Sequence, residues 1–157
     1  MKIEELVIHH SAGEWGDVEY LNRLHLARGW RGIGYHKVIL GPYPTYVSWA
    51  RNQPREDLDG AIKQGRQDHI SGAHCRGHNT TSLGICVVGH LDAHAPTERQ
   101  YEALVDACVR LCRRHGLHAC NIYGHKELRP TRCPGRYLDL DQLRCDVQIG
   151  LRVAEHV

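Results

Sequence analysis

The sequence lacks the features that mark nucleic-acid-binding and membrane-spanning proteins. Its 20 basic and 18 acidic residues leave a formal net charge of +2, so no large positive excess is present to hold a phosphate backbone. No apolar run approaches the ~20 residues that a bilayer-spanning helix needs. We therefore expect neither nucleic-acid binding nor stable insertion into a membrane.

The sequence also lacks a secretory signal and two common zinc motifs. Residues 1–5 have neither the basic start nor the apolar stretch of a signal peptide, which predicts synthesis in the cytoplasm. Neither a CxxC pair nor an HExxH motif is present. Their absence argues against a structural zinc finger.

Histidine and cysteine, by contrast, are plentiful. The chain has 13 histidines and seven cysteines, and an odd number of cysteines cannot all pair in disulfides. Cys86 lies in an apolar run, and Cys108 and Cys112 are four residues apart on one face of an expected helix. We expect these three to be buried free thiols that pack as small apolar side chains.

The order of apolar runs predicts the fold class. Apolar residues make up 41% of the chain and charged residues 24%, as in ordinary soluble globular proteins, and the length fits one domain. Strand-like runs alternate with amphipathic helical stretches, which predicts a single α/β domain, 1–157, with a mixed central β-sheet flanked by about three α-helices. The expected strands are 6–10, 35–40, 82–89 and 121–123, and the expected helices begin near Asp17, Thr97 and either Asp139 or Asp141.

The stretch 41–58 interrupts this alternation. It holds three prolines and one possible short strand, 45–49. We interpret it as an elaborated, hairpin-like connection on the surface.

Two histidines and one cysteine are candidate metal ligands. His9 ends the first expected strand, and His125 and Cys133 flank a loop that contains Pro130. Two imidazoles and a thiolate occupy three corners of a zinc tetrahedron and leave the fourth for water, as in a catalytic zinc site. Because the spacing from His125 to Cys133 is too long for one helical face, a loop must return both ligands to the metal, and Pro130 and Pro134 stiffen it.

Two other interpretations of these residues stay open on spacing alone. Thirteen histidines make chance clusters common. A nucleophilic Cys133 with His125 as its base would give a metal-free cysteine hydrolase. Metal analysis separates the two chemistries.

Five ordered blocks of sequence, taken together, resemble a known family. They are similar to the zinc N-acetylmuramoyl-L-alanine amidases, in particular the small phage endolysins of the T7-lysozyme type, which share a fold with peptidoglycan recognition proteins. The resemblance runs in order from about Leu6 to Asp141, nearly the whole chain. The blocks are 7–12 (VIHHSA), 29–36 (GWRGIGYH), 72–79 (GAHCRGHN), 82–85 (SLGI) and 124–127 (GHKE) with Cys133-Pro134.

The resemblance implies catalytic roles for individual residues. It makes His9, His125 and Cys133 the zinc ligands, with His10 a neighbour rather than a ligand. It makes Tyr35 the active-site tyrosine, whose hydroxyl holds the zinc-bound water or the developing oxyanion.

A second set of roles follows from the same resemblance. Thr131 stands where T7-type amidases carry a catalytic lysine and recognition-protein amidases carry threonine, so the second proton donor departs from the T7 pattern. His74 and Asn79 lie in the loop that borders the substrate groove, which makes them candidate substrate-binding residues.

Arg129 and Arg132 could meet carboxylates of a stem peptide, although a solvated surface explains them equally well. Relative to the T7-type pattern, 41–58 is an insertion.

The resemblance also implies a reaction and a setting. The reaction is hydrolysis of the amide between N-acetylmuramic acid and L-alanine in bacterial peptidoglycan, with Zn2+ as cofactor. The expected setting is a phage or prophage endolysin, monomeric, which accumulates in the cytoplasm and reaches the cell wall by a separate route through the membrane. The alternative is a protein of the same fold that binds peptidoglycan without cutting it. Such proteins lose zinc ligands, and Cys133 argues against this alternative.

Overall fold

The computed structural model describes residues 1–153, which contain a five-stranded sheet. The strands are β1 (Glu5–His10), β2 (Lys37–Ile39), β3 (Ile62–Gln64), β4 (Ser82–Val87) and β5 (Ile122–Gly124). Their order across the sheet is β3-β2-β4-β1-β5. Parallel pairs join β2, β4, β1 and β5, and β3 runs antiparallel to β2 at one edge, so the sheet is mixed as predicted.

Three long helices and two short ones accompany this sheet in residues 1–153. The long helices match the three that the sequence predicts, and the two short ones add to them. Within the same described residues, no helix combines the length and the apolar character needed to cross a bilayer. The helices are α1 (Val18–Ala27), α2 (Tyr46–Ala50), α3 (Glu98–His115), α4 (His125–Leu128) and α5 (Leu140–Val153), with a 3-10 helix at Ala119–Asn121.

Side-chain caps determine where the long helices begin. Asp17 accepts a 2.8 Å hydrogen bond from Tyr20 N–H at the start of α1. Thr97 and Gln100 form the predicted reciprocal capping box of α3, with two bonds of 3.0 Å. At the start of α5, Asp139 accepts from the N–H of the third residue of the helix at 3.0 Å, so Asp139 rather than Asp141 is the cap.

The strand expected at 45–49 is wrong, because 46–50 form helix α2. Thr45 Oγ1 accepts from Ser48 N–H at 3.1 Å, and Ser48 Oγ accepts from Thr45 N–H at 3.2 Å. These local bonds satisfy backbone donors at a helix start, which a strand would leave to a neighbouring strand. The aromatic and β-branched residues that suggest a strand are exposed, and Tyr46 and Trp49 pack on Trp15 instead of on a strand partner.

The two faces of the sheet carry separate apolar clusters, since successive strand residues point to opposite faces. Leu6 and Ile8 join the cluster under α3 and α5. Cys86 belongs to the cluster on the opposite face, with Leu21 of α1. Cys86 and the two α3 cysteines are fully buried free thiols, as predicted. His9, one residue after Ile8, therefore points to the α1 face of the sheet.

Candidate metal centre and active site

His9 and His125 lie side by side at the carboxyl edge of the sheet. The parallel register of β1 and β5 pairs Ile8 with Gly124. His9 follows Ile8 in β1, and His125 follows Gly124 at the end of β5. Their ring centroids are 4.6 Å apart. In open α/β sheets this edge is where ligands usually bind.

A loop returns Cys133 to the same point. The carbonyl of Cys133 accepts a 2.7 Å hydrogen bond from Lys126 N–H, which ties the far end of the loop to the first turn of α4. A second bond, from Gly135 N–H to Arg132 O at 2.7 Å, closes the turn that carries the cysteine. The thiol Sγ lies 3.6 Å from His9 Nδ1. The candidate ligand atoms of His9, His125 and Cys133 all lie within 4.8 Å of one another.

The chemistry and spacing of these three side chains fit zinc. Tetrahedral bonds of ~2.3 Å to sulfur and ~2.0–2.1 Å to nitrogen would separate the two atoms by about 3.6 Å, the distance found between Cys133 Sγ and His9 Nδ1. Burial lowers the pKa of His9 well below its usual value, with further lowering from the neighbouring imidazoles, and burial followed by Arg129 lowers the pKa of His125. Both imidazoles are therefore neutral and able to coordinate.

The cysteine must lose a proton to bind a metal. Burial raises the pKa of Cys133 to about 12, although the His10 N–H group, 3.4 Å from Sγ, acts in the opposite direction. A bound metal would replace that proton on sulfur. His10 itself turns away, since its Nδ1 accepts from Leu91 N–H at 3.0 Å. His10 is a neighbour of the candidate site rather than part of the ligand cluster.

Tyr35 forms one wall of the pocket above the three candidate ligands. Its ring centroid is 5.1 Å from that of His9. Burial raises the pKa of Tyr35 well above its usual value, and the thiols of Cys86 and Cys133 raise it further. The phenol therefore stays protonated and can donate a hydrogen bond.

Two residues that no motif predicts hold the turn before Tyr35. His25 Nδ1 accepts from Gly34 N–H at 2.9 Å, and burial lowers the pKa of His25 to about 4, with Arg28 and Arg66 contributing. Arg66 donates to the carbonyl oxygens of Ile33, at 2.9 Å, and of the loop residue at position 71, at 2.8 Å. The i, i+4 spacing from Leu21 to His25 is a signal that could have indicated a buried histidine. Nothing in the sequence marks Arg66.

His74 is hydrogen-bonded to other side chains through both of its ring nitrogens. The residue is 8% exposed, and its ring packs edge-on against that of His9 with the centroids 5.0 Å apart. His74 Nδ1 is 2.9 Å from His9 Nε2, and His74 Nε2 is 3.2 Å from Ser82 Oγ. Protein atoms thus engage both ring nitrogens, and the expected substrate-binding role of His74 stays a prediction.

The other two predicted polar residues have different surroundings. Asn79 Oδ1 accepts from the N–H groups of His74, at 2.8 Å, and Cys75, at 2.9 Å, and so closes the loop behind the pocket. Thr131 lies at the exposed mouth, where its Oγ1 accepts from Cys133 N–H at 3.3 Å and keeps its own hydrogen available. Substrate binding by Asn79 and catalysis by Thr131 stay predictions.

Charged groups border the mouth of the pocket. The Arg132 side chain is 90% exposed and lies 3.6 Å from Asp92. Arg129 is exposed as well. Arg132 lines the pocket mouth and can meet an anionic group there, and a solvated role explains both arginines as well.

Comparison with known proteins identifies the family. A family model described as N-acetylmuramoyl-L-alanine amidase matches residues 1–136. The endolysin of Escherichia phage T7 is 26% identical over 122 residues, which cover 74% of this chain and 68% of that endolysin. The N-acetylmuramoyl-L-alanine amidase of Sus scrofa is 31% identical over 118 residues, covering 73% of this chain and 17% of the pig protein. The chain thus spans less than a fifth of the length of that relative.

Solved structures agree on the fold. The amidase LysC of Clostridium intestinale superposes with a TM-score of 0.79 at 24% identity, covering 94% of this chain and 86% of that one. This likeness confirms the predicted amidase-type α/β fold. Because the family model covers residues 1–136 of 157, the protein belongs to the N-acetylmuramoyl-L-alanine amidase family.

Proposed function

We propose that the protein hydrolyses the amide bond between N-acetylmuramic acid and L-alanine in bacterial peptidoglycan, with one zinc ion held by His9, His125 and Cys133. The observation that carries this proposal is the convergence of the three ligand atoms within 4.8 Å in a chain of the amidase family. A set of two imidazoles and one thiolate leaves one coordination position open, which is the pattern of catalytic zinc.

The protein's own groups supply orientation and charge stabilisation. Zinc, when bound, acidifies water and polarises a carbonyl group. Tyr35 keeps its hydroxyl hydrogen because burial raises its pKa, so it donates to the substrate oxygen as negative charge develops there. Thr131, whose Oγ1 is already bonded to Cys133 N–H, offers its hydroxyl hydrogen to the substrate at the mouth of the pocket.

The environment of Cys133 disfavours the metal-free cysteine hydrolase. Nucleophilic cysteines have a lowered pKa that maintains the thiolate, whereas burial raises the pKa of Cys133 to about 12. The base expected in that mechanism is His125, and its pKa is lowered by burial and by Arg129. Such an imidazole is a poor base for activating sulfur and a good metal ligand.

The proposed setting is lysis of a bacterial cell by a phage or prophage endolysin. Relatives from phages carry the name endolysin. The substrate in this proposal is the cell wall, reached after release through the membrane, and the active form is a monomer.

The test is mass spectrometry of fragments released from purified peptidoglycan. Untreated protein is expected to release stem peptides with a new N-terminal L-alanine, to lose this activity after chelation, and to recover it with zinc. Cys133→Ser should be inactive, whereas Cys145→Ser, at an exposed free cysteine, should match the wild type.

Two results would contradict the proposal. Equal release of L-alanine termini after complete metal removal would exclude a zinc mechanism. Binding of peptidoglycan by the zinc-loaded protein without any released fragment would favour the non-catalytic binder.

A further inference from the structure

We propose that His74 and Ser82 are positioning residues, which fix the tautomer and orientation of His9 so that its Nδ1 faces the metal. This inference rests on the zinc site of the proposed function. It assigns to His74 a place behind the ligand instead of in the substrate groove. It also gives a role to Ser82, a fully buried polar residue in the strand next to β1.

The hydrogen bonds that link Ser82, His74 and His9 fix which atom is the donor and which the acceptor in each pair. Ser82 Oγ donates to the carbonyl oxygen of His78 at 2.6 Å, which uses its hydrogen. Its lone pair then accepts from His74 Nε2, 3.2 Å away. His74 therefore carries its proton on Nε2 and accepts through Nδ1 from His9 Nε2, at 2.9 Å. This order leaves His9 Nδ1 unprotonated, and Nδ1 is the atom 3.6 Å from Cys133 Sγ.

Two glycines shape the slot that holds the His74 ring. A Cβ atom added at Gly84 would lie 2.6 Å from His74 Cγ, and one added at Gly72 would lie 2.5 Å from His74 Cδ2. Ser82 and Gly84 point to the same face of β4 because they are two residues apart. The ring thus lies flat over Gly84 with Ser82 within reach of its Nε2.

The imidazole of His36 packs beside His74 but makes no hydrogen bond to Ser82, His74 or His9. His36 Nδ1 accepts from Gly84 N–H at 3.0 Å, and His36 Nε2 lies 2.9 Å from the carbonyl oxygen of Ile70. With both nitrogens bound to backbone groups, His36 offers no competing partner to His74. Its ring packs edge-on at a centroid distance of 5.7 Å, which limits tilting of the His74 ring.

Metal ligands usually depend on such outer partners. A hydrogen bond to the second nitrogen of a ligating histidine sets the tautomer and the ring orientation, and its loss typically weakens metal binding by roughly 10- to 100-fold. Without the partner, His9 could place its proton on either nitrogen. A fraction of molecules would then present N–H instead of a lone pair to the metal.

The test compares zinc affinity and the His9 tautomer in variants of the full chain. His74→Phe keeps a ring but removes both nitrogens. Ser82→Ala removes the hydroxyl that accepts from His74 Nε2 and leaves the backbone group of Ser82 that also bonds His74. His74→Asn restores an oxygen acceptor close to the position of Nδ1. Ser71→Ala is the matched control, because Ser71 Oγ bonds to Asn79 O in the same loop and makes no hydrogen bond to His9 or His74.

Zinc dissociation constants come from competition with a chromogenic chelator, and long-range proton–nitrogen NMR spectra report the tautomer of His9. We expect a 10- to 100-fold weaker zinc affinity in His74→Phe, a severalfold loss in Ser82→Ala, recovery of most of the affinity in His74→Asn, and no change in Ser71→Ala. The wild type should show His9 protonated on Nε2. Thermal unfolding of the metal-free proteins separates these effects from a general loss of stability.

The inference and the proposed function fail in different ways. Wild-type protein that binds no zinc would overturn both. Wild-type protein that binds zinc and cleaves peptidoglycan, together with a folded His74→Phe of equal zinc affinity, would overturn the positioning role and leave the function standing. An Nδ1–H tautomer of His9 in the wild type would overturn it as well.

Discussion

Burial decides which chemistry single side chains can perform. Tyr35 is kept protonated because burial raises its pKa well above the usual value, and a protonated phenol beside the ligand cluster is a hydrogen-bond donor. Cys133 is kept as a thiol by the same effect, with its pKa raised to about 12, until a metal takes the place of its proton. Burial thus makes Tyr35 a hydrogen-bond donor and leaves Cys133 as a thiol that can bind a metal once it loses its proton.

Removing the Tyr35 hydroxyl should impair turnover without impairing metal binding. For Tyr35→Phe we predict a fall in kcat of about 100-fold, the usual loss for one donor to a developing oxyanion, with zinc affinity and unfolding temperature unchanged. Tyr137→Phe is the control, because Tyr137 is exposed and stacks on Arg136. Activity of Tyr35→Phe equal to that of Tyr137→Phe would show that the hydroxyl takes no part in the reaction.

Residue chemistry predicted part of the candidate site. His9, His125 and Cys133 are found by ligand type and by their place next to strands and a proline-stiffened loop. Ser82 and Arg66 are not, because their roles consist of hydrogen bonds to His74 and Ile33, 8 and 33 residues away, which follow no fixed spacing. A sequence motif carries no information about such contacts.

At the scale of elements, the His74 ring packs on strand β4 at Gly84. Glycine inside a strand normally weakens it, since it packs no side chain and orders a flexible backbone. At Gly84 the absence of a side chain makes room for the imidazole, because an added Cβ would lie 2.6 Å from His74 Cγ. The most buried strand of the sheet therefore keeps a residue that is locally unfavourable.

Filling this space should disturb both stability and metal binding. For Gly84→Ala we predict a loss of about 1–3 kcal/mol in the free energy of unfolding, as in other overpacked cores, and weaker zinc binding. Gly13→Ala, where the nearest atom to an added Cβ is 3.8 Å away, should stay within about 0.5 kcal/mol of the wild type. Urea unfolding of both variants measures the difference. Equal free energies would contradict the packing described for His74.

Element boundaries were predictable where the sequence carries local caps. The capping box of Thr97 and Gln100 and the left-handed Gly116, with φ of 67°, determine both ends of α3. The same chemistry at Thr45 and Ser48 makes 46–50 a helix, although its residue types favour a strand. Whether the local cap or the strand-favouring residue types decide the structure depends on contacts with other elements, and the local sequence pattern does not show those contacts.

At the scale of the whole molecule, buried neutral histidines couple stability to pH. Burial lowers the pKa of His10 and His25 to about 4 and that of His74 to about 3. Since the unfolded chain takes up protons near pH 6.5 and the folded chain does not, the metal-free protein is most stable above pH 6.5. Its stability falls as the pH drops towards 4, by about 1.4 kcal/mol per pH unit for each histidine that stays neutral.

Replacing one of these histidines should reduce by one the number of protons that the chain takes up when it unfolds, and so weaken the pH dependence of the unfolding free energy. In His25→Asn, an amide oxygen can accept from Gly34 N–H in place of His25 Nδ1 and does not titrate. We predict that the slope of the unfolding free energy between pH 6 and 5, measured in chelator, is smaller by about 1.4 kcal/mol per pH unit than in the wild type. An unchanged slope would contradict the neutral, buried state of His25.

The central claim is that His9, His125 and Cys133 hold one zinc ion, and X-ray absorption at the zinc edge tests it most directly. The account predicts one sulfur at ~2.3 Å and imidazole nitrogens at ~2.0–2.1 Å in the wild type, with the sulfur lost in Cys133→Ser and retained in Cys145→Ser. A zinc shell without sulfur in the wild type, or one that keeps its sulfur in Cys133→Ser, would contradict it.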